Sequence, residues 1–431
     1  MTDFTEVMLE NGLKVLLKEI HTAPLISHWV WYRVGSKDEP TGKTGISHWV
    51  EHMQFKGTPQ FPASVLDKAI SRAGGQWNAF TFFDWTTYYE TMPADKIDLA
   101  LRLESDRMVN SIFDPEEVES ERTVIISERE SSENEPLSLL GEAIQHAAFR
   151  VHPYHHEVIG DKADLNSMTR DDLYNHYRTY YAPNNAVIAV AGDFETGAML
   201  ARIRELFEPI PARATPPRLS RPEPEASGEI RLTVEGPEDT AYIQVSYHAP
   251  AASHPDFHAL AVLDSLLAGP SNLNMFGGGG VSNKTSRLYR ALIDTELAVS
   301  VSGGSSATID PYLYSFVITG HPDNPIEAAL GALDREIRRI QDEPPTEAEV
   351  ARAIKQARAM FAFGAENITN QAFWLAYAEM FADYSWFTTY LEKLAAVTPA
   401  DVQRVAQTWF RTKNRVVGTY LPVDEEGGGD E

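Results

Sequence analysis

Cysteine is absent from all 431 residues. Disulfides and thiolate metal sites are thereby excluded, and any metal held by this chain must rest on histidine and carboxylate. Basic residues are scarce: 37 Lys and Arg stand against 62 Asp and Glu, for a net charge of −25. Nucleic acid is therefore not an expected partner, because its binding depends on neutralising phosphates with Lys and Arg. An anionic membrane surface is disfavoured for the same reason, while a cationic or unfolded peptide is attracted. No apolar run approaches the ~18 residues of a membrane span. The opening Met1-Thr2-Asp3-Phe4-Thr5-Glu6 has neither the basic region nor the apolar stretch of a secretory signal. A cytoplasmic protein is expected, or a periplasmic one if a signal has been trimmed away.

What the chain does contain is centred on Gly45-Ile46-Ser47-His48-Trp49-Val50-Glu51-His52-Met53. The H-x-x-E-H core sets His48 and His52 four apart, so on a helix they project from one face, about 40° apart at about 100° per residue. Two imidazoles so placed can grip one metal ion. Glu51 points to the same side, within reach of a water in the position that a catalytic zinc leaves open beside three protein ligands. The order is the inverse of the H-E-x-x-H zinc-peptidase motif. Five residues alone also fit a polar helix with two surface histidines. A third ligand must come from elsewhere, and Glu121-Arg122-Thr123-Val124-Ile125-Ile126-Ser127-Glu128 offers two glutamates seven apart, on one helical face. Asp114 before Pro115 reads as the N-cap and first residue of that helix. A solvated acidic face is the plainer reading of the same glutamates.

Together these segments resemble the pitrilysin-type (inverzincin, M16) zinc metallopeptidases, in which H-x-x-E-H is followed after a similar gap by a glutamate ligand, with another glutamate seven residues before it. The resemblance assigns His48, His52 and Glu128 as ligands of one zinc ion per chain, Glu51 as general base and Glu121 as a supporting carboxylate near the metal. Each ligand histidine is expected to have its other ring nitrogen held by an acceptor; Glu121 is a candidate for that role or for tuning Glu51. The stretch Gly74-Gly75-Gln76-Trp77-Asn78-Ala79-Phe80-Thr81 reads as a strand running on to Tyr89. Its family counterpart is an edge strand with which a substrate peptide pairs, which makes Asn78, Ala79 and Phe80 substrate-binding candidates. The implied activity is zinc-dependent hydrolysis of peptides or unfolded polypeptides. Two alternatives are a non-catalytic subunit of a larger complex and a hydrolase of non-peptide amides. Relatives of the first kind tend to have lost the metal residues, and the second sits poorly with a strand suited to an extended backbone.

Pro209, Pro211, Pro216, Pro217, Pro222 and Pro224 mark a linker. The expected organisation is a domain over 1–210 that carries the motif, a linker over 211–228, a domain over 229–423 without a metal site, and a disordered acidic tail over 424–431. The second half opens as the first does: strands Glu229–Glu235 and Thr240–Tyr247, then Phe257–Leu267 in place of the motif helix. It keeps His258 but lacks the second histidine and the glutamate, which reads as a degenerate internal duplication. His28, His155 and His156 are read as ordinary structural residues. Gly277–Gly280 is read as a mobile loop and not a phosphate-binding one, because Asn283 precedes Lys284 where glycine is required. The resemblance implies an α+β fold class: two homologous domains, each a largely antiparallel sheet packed with helices, together forming half of a clam shell. Half a shell implies a second M16-like chain, in a homodimer or a heterodimer. Many relatives carry, in this half, an arginine about seven residues before a tyrosine. Allowing a one-residue gap, Ile293 and Val299 stand there, and neither side chain can donate a hydrogen bond. A sister chain is therefore expected to supply those donors.

Overall fold

The computed structural model describes residues 4–237, 239–274 and 281–423, so the glycine loop at 277–280 and the acidic tail lie outside the described residues. The first sheet is built from β1 (Thr5–Met8), β2 (Lys14–Glu19), β3 (Leu25–Tyr32), β4 (Gln76–Thr81), β5 (Thr86–Pro93) and β6 (Ala186–Gly192), in the order β1-β2-β6-β3-β5-β4. Its pairs are antiparallel except β2 with β6. The second sheet contains β7 (Ile230–Gly236), β8 (Tyr242–Ala249), β9 (Ala298–Ser305), β10 (Tyr312–Gly320) and β11 (Arg415–Pro422), in the order β7-β11-β8-β10-β9. Only β7 with β11 is parallel. With β1 set aside, both sheets follow one path: first strand, last, second, fourth, third. The parallel pair also falls in the same place. The fold is α+β with two related halves, as expected from the sequence.

One local expectation fails. The stretch from Gly74 to Tyr89 is not one strand but a hairpin, with β4 ending at Thr81 and β5 beginning at Thr86. The aromatic and threonine-rich composition marks sheet on both arms and does not show where the chain turns back. The turn is held from outside: Phe82 N–H donates to the Trp85 carbonyl, and the carbonyls of Phe82 and Phe83 accept from Ser36 N and Lys37 N at 3.1 and 2.9 Å. Lys37 also pairs with Asp84 at 3.0 Å.

Contacts group the chain into two compact units that are interleaved in sequence. One holds the chain up to Glu130, His156–Arg221 and Glu366–Tyr384; the other holds Ser131–His155, Pro222–Ala365 and the chain from Ser385 onward. The passage between Arg221 and Pro222 falls inside the proline-rich stretch. Each sheet is covered by a helix from the opposite half of the chain. Helix Ile368–Phe381 packs on β2, β3 and β6, and helix Pro136–Ala148 packs on β7, β8 and β11. Apolar residues run all round Ile368–Phe381, as burial on every side requires. Its Phe373 ring lies 5.6 and 5.4 Å from those of Trp29 and Trp31, which are fully buried on β3. Burying each such aromatic contributes about 1.5–3 kcal/mol. No described helix is long and apolar enough to cross a membrane.

Successive β3 side chains alternate between faces. Trp29 and Trp31 face helix Ile368–Phe381, and His28 faces helix Ile97–Asn110, where a charged cluster is sealed from water. His28 Nδ1 lies 3.1 Å from Glu90 Oε2, Arg107 lies 3.5 Å from Glu90 Oε1, and Arg107 Nε donates to Glu104 at 2.9 Å. The guanidinium also covers the Tyr88 ring at 4.2 Å. Burial pushes both carboxyls up, Glu104 well above its ordinary value, against the pull of Arg107. His28 is thus a structural residue, held neutral by burial. Removing the guanidinium leaves its carboxyl partners buried without a countercharge. Arg107→Met is expected to lower the unfolding free energy by about 3–5 kcal/mol in urea denaturation; a variant as stable as the wild type would contradict this account of the cluster.

Candidate metal centre

The H-x-x-E-H segment forms the short helix Ile46–Met53. Gly45 precedes it at φ 86°, a left-handed conformation that favours glycine. Glu39 accepts from Gly45 N and from Ser47 N, both at 2.8 Å, so a buried carboxylate satisfies donors at the helix start. Trp49 and Val50 face the core, and His48 and His52 come together one turn apart with ring centroids 4.6 Å apart.

Helix Pro115–Ser132 supplies the glutamates. Asp114 Oδ1 accepts from Glu116 N at 2.8 Å, as the N-cap reading expects. Glu128 Oε2 lies 3.7 Å from His52 Nε2 and 4.0 Å from His48 Nε2. The three ligand atoms lie within 4.8 Å of one another. Donors on a tetrahedral zinc stand about 3.4 Å apart, given bonds of about 2.1 Å. The trio therefore needs only a small contraction to fit.

The structure divides the roles left open for Glu121. Its Oε1 accepts from His52 Nδ1 at 2.8 Å, and its Oε2 pairs with Lys56. Burial pushes Glu121 up, but the hydrogen bonds from His52 and Lys56 outweigh it and hold the carboxyl below its ordinary value. With Nδ1–H committed to Glu121, the His52 lone pair belongs on Nε2, toward Glu128. His48 differs from expectation: its Nδ1 is buried with no hydrogen-bond partner among the described residues. Burial, and then the neighbouring His52, push His48 down to about 3, so the ring is neutral, the form that coordinates metals.

Glu51 is buried, and burial pushes it up to about 7 against the pull of a hydrogen bond from Thr81 Oγ1 at 2.7 Å. Thr81 ends β4, which pairs with β5 alone among the described strands. Asn78, Ala79 and Phe80 lie on this same edge strand. Ala79 is buried, Asn78 exposed, and Phe80 stacks at 6.4 Å on Tyr89. Ala79 N–H donates to the Asn78 side chain at 2.9 Å. His155 and His258 are held otherwise: His155 Nδ1 is bonded to the Phe149 carbonyl, and His258 packs among Trp386 and Tyr390. Thr81, Lys56 and Glu39 were not singled out from the sequence, and His156 was read as an ordinary structural residue. For Thr81 a signal existed, since it follows Ala79 by two and so shares its face of the strand; the other three become neighbours only through folding.

Two family profiles match. "Insulinase (Peptidase family M16)" covers residues 14–162, and "Peptidase M16 inactive domain" covers 167–357. The chain belongs to the M16 peptidase family. The zinc protease PqqE of Helicobacter pylori is 27% identical to this M16 chain over 418 residues, 94% of this chain and 90% of that protein. A probable mitochondrial-processing peptidase subunit beta of Arabidopsis thaliana is 26% identical, over 97% of this chain and 78% of that one. The crystal structure of a protease from Helicobacter pylori superposes with a TM-score of 0.90 at 27% identity, over 97% of this chain and 99% of that one. The periplasmic protease PqqL from Escherichia coli shares the fold, with a TM-score of 0.78 at 18% identity; 98% of this M16 chain matches 48% of that one.

In the metal-free M16 chain, the folded-state value of about 7 for Glu51 stands above the ordinary 4.5. Across that interval the folded chain keeps a proton that the unfolded chain has released, so this group's contribution to stability falls as pH rises from about 4.5 to about 7. Glu51→Gln removes the contribution. In chelator-treated protein, the unfolding free energy of Glu51→Gln is expected to gain on the wild type as pH climbs through that window. A difference that stays flat would contradict the effect of burial on Glu51.

Proposed function

We propose that the chain is a zinc-dependent endopeptidase of peptides or unfolded polypeptides, working as the catalytic member of a dimer. The observation that carries this reading is the convergence of His48, His52 and Glu128 beside Glu51, whose carboxylate is bonded to the open edge strand β4. Two imidazoles and one carboxylate suit zinc with a position to spare, although manganese or cobalt fits the same donors. Zinc, when bound, supplies Lewis-acid polarisation of a carbonyl and acidifies water.

The protein's own groups do the rest. Glu121 holds His52 in the tautomer that presents Nε2. Glu51 takes a proton from the attacking water as its oxygen adds to the scissile carbonyl carbon, and returns it to the amine nitrogen when the C–N bond breaks. A carboxyl near 7 suits both directions of transfer. β4, which pairs with β5 alone among the described strands, offers its outer edge to an extended chain, with Asn78, Ala79 and Phe80 along it. An incoming strand that takes the Ala79 N–H replaces the Asn78 side chain as its acceptor, so no donor is left stranded.

The partner is read as a second M16-like chain. Supporting this, one relative is named as a beta subunit, and a match to this whole chain accounts for 48% of PqqL. Ile293 and Val299, the latter exposed on β9, cannot donate side-chain hydrogen bonds to a substrate. A non-catalytic subunit is the second reading, favoured by the inactive-domain profile; that profile covers 167–357, away from every residue of the metal centre.

The test is cleavage of a mixed pool of unstructured peptides by the purified, zinc-loaded chain. Glu51→Gln is expected to retain zinc by metal analysis and lose about 100- to 10,000-fold in kcat, whereas His52→Ala loses the zinc itself. Full cleavage by Glu51→Gln would sink the assignment. A folded, zinc-loaded wild type that cleaves nothing alone would point to an obligate sister chain.

A further inference from the structure

The N-terminus of the HxxEH helix is gripped by a segment that the reading above leaves unused. Glu39 is buried, and its Oε2 lies 3.0 Å from His156 Nε2 while accepting from Gly45 N at 2.8 Å. Its Oε1 accepts from Ser47 N at 2.8 Å. A carboxylate can only accept, so His156 is the donor. One side chain thus satisfies donors at the positive end of the helix and is itself held by a histidine far along the chain. The surroundings repeat the grip. Asp161 N donates to Thr44 Oγ1 at 2.9 Å, while Thr44 N and Oγ1 donate to Asp164 at 3.0 and 2.8 Å. Gly45 and Gly160 cross in backbone contact: a Cβ on Gly45 would sit 2.3 Å from the Ile159 carbonyl oxygen, and one on Gly160 would sit 2.3 Å from that of Thr44.

We infer that Glu39 and His156 are positioning residues for the metal centre, setting the height and rotation of the HxxEH helix and hence the separation of His48 and His52 from Glu128. The inference rests on the zinc reading above. Its physical basis is that so short a helix is not self-supporting, while metal ligands must lie within about 0.2 Å of their bonding distances. A helix freed at its N-terminus moves both histidines together, whereas Glu128 stands on a separate helix and does not follow. Glu39 is bonded to Gly45 N, Ser47 N and His156, so the pair acts through the start of the helix.

The experiment is a chelator-competition titration of the full-length chain with Zn2+, set beside thermal unfolding of the metal-free protein. His156→Leu removes the donor. Glu39→Gln turns an amide nitrogen toward a backbone N–H, of Gly45 or of Ser47, that can only donate. Each is expected to weaken Zn2+ binding by about tenfold or more, while His156→Gln, which keeps a donor, recovers part of the affinity. Ile203→Ala serves as a control, since Ile203 is buried in the same unit on helix Thr196–Phe207, away from the clasp. It should lower Tm without changing Zn2+ affinity. Unchanged affinity in a folded His156→Leu or Glu39→Gln chain overturns the inference, as does affinity that merely tracks Tm across all variants, Ile203→Ala included. If His156→Leu does not fold, Glu39→Gln carries the same reading. A wild type that binds Zn2+ no better than His52→Ala overturns the zinc reading and this inference with it, an outcome distinct from tight wild-type binding that the clasp variants leave untouched.

Discussion

A short helix has too few internal hydrogen bonds to hold two histidine rings in place, so the centre depends on what grips Ile46–Met53 from outside. At its start the grip is the Glu39 carboxylate and the crossing of Gly45 with Gly160. Along its flank, Arg122 on the glutamate-bearing helix lies over the Trp49 ring at 4.7 Å and also donates to the Met168 carbonyl at 2.9 Å. The two helices that carry the proposed ligands are thus tied to each other by side chains that bind no metal.

Behind this frame the protein concentrates charge where water is excluded. Glu51, Glu90, Glu104, Arg107 and His28 are all buried in one unit. In such surroundings the charged form of each group is costly unless a partner stands beside it. Arg107 serves Glu90 and Glu104. Among the described residues the Thr81 hydroxyl is the close hydrogen-bond partner of Glu51, with more distant help from His52, and burial holds its proton until about neutral pH. The contrast between Glu51 and Glu121 has the same origin. Glu121 is bonded to His52 and Lys56 and stays ionised, as an acceptor should; Glu51 is left able to exchange a proton.

The two sheets share one strand order and have diverged in what they hold. In the second half the helix Phe257–Leu267 takes the place of Ile46–Met53, but His258 is packed against Trp386 and Tyr390 with burial pushing it down to about 4. A lone histidine among aromatics is a packing residue. The Asp264 carboxyl on the same helix is likewise absorbed, bonded to Ser271 at 2.7 Å and to Tyr314 at 2.5 Å. Helices Pro136–Ala148 and Ile368–Phe381 each come from the opposite half of the sequence to the sheet they cover, and each belongs to the same compact unit as that sheet.

Periodicity and spacing in the sequence showed that His48 and His52 share one helix face, that Glu121 and Glu128 share a face of another helix, and that the second half opens as the first does; the α+β class and the joining of Glu128 to the two histidines came from the resemblance to the M16 family. The two helix faces are local features, set by helical pitch within a few residues. The hairpin between β4 and β5 was not legible, because its turn is fixed by backbone bonds from Ser36 and Lys37, and composition alone reads both arms as sheet. Nor could the sequence choose between the roles open to Glu121, since the choice depends on a 2.8 Å contact with His52 across two helices. The Thr81 bond to Glu51, the Glu39–His156 clasp and the covering of each sheet by a helix from the opposite half of the sequence join residues distant in the chain and have no periodicity to betray them. The sequence by itself determined which side chains could serve as ligands and base. Tertiary structure decided how far apart they stand and which proton each holds, because both depend on burial and on neighbours that only the folded chain brings together.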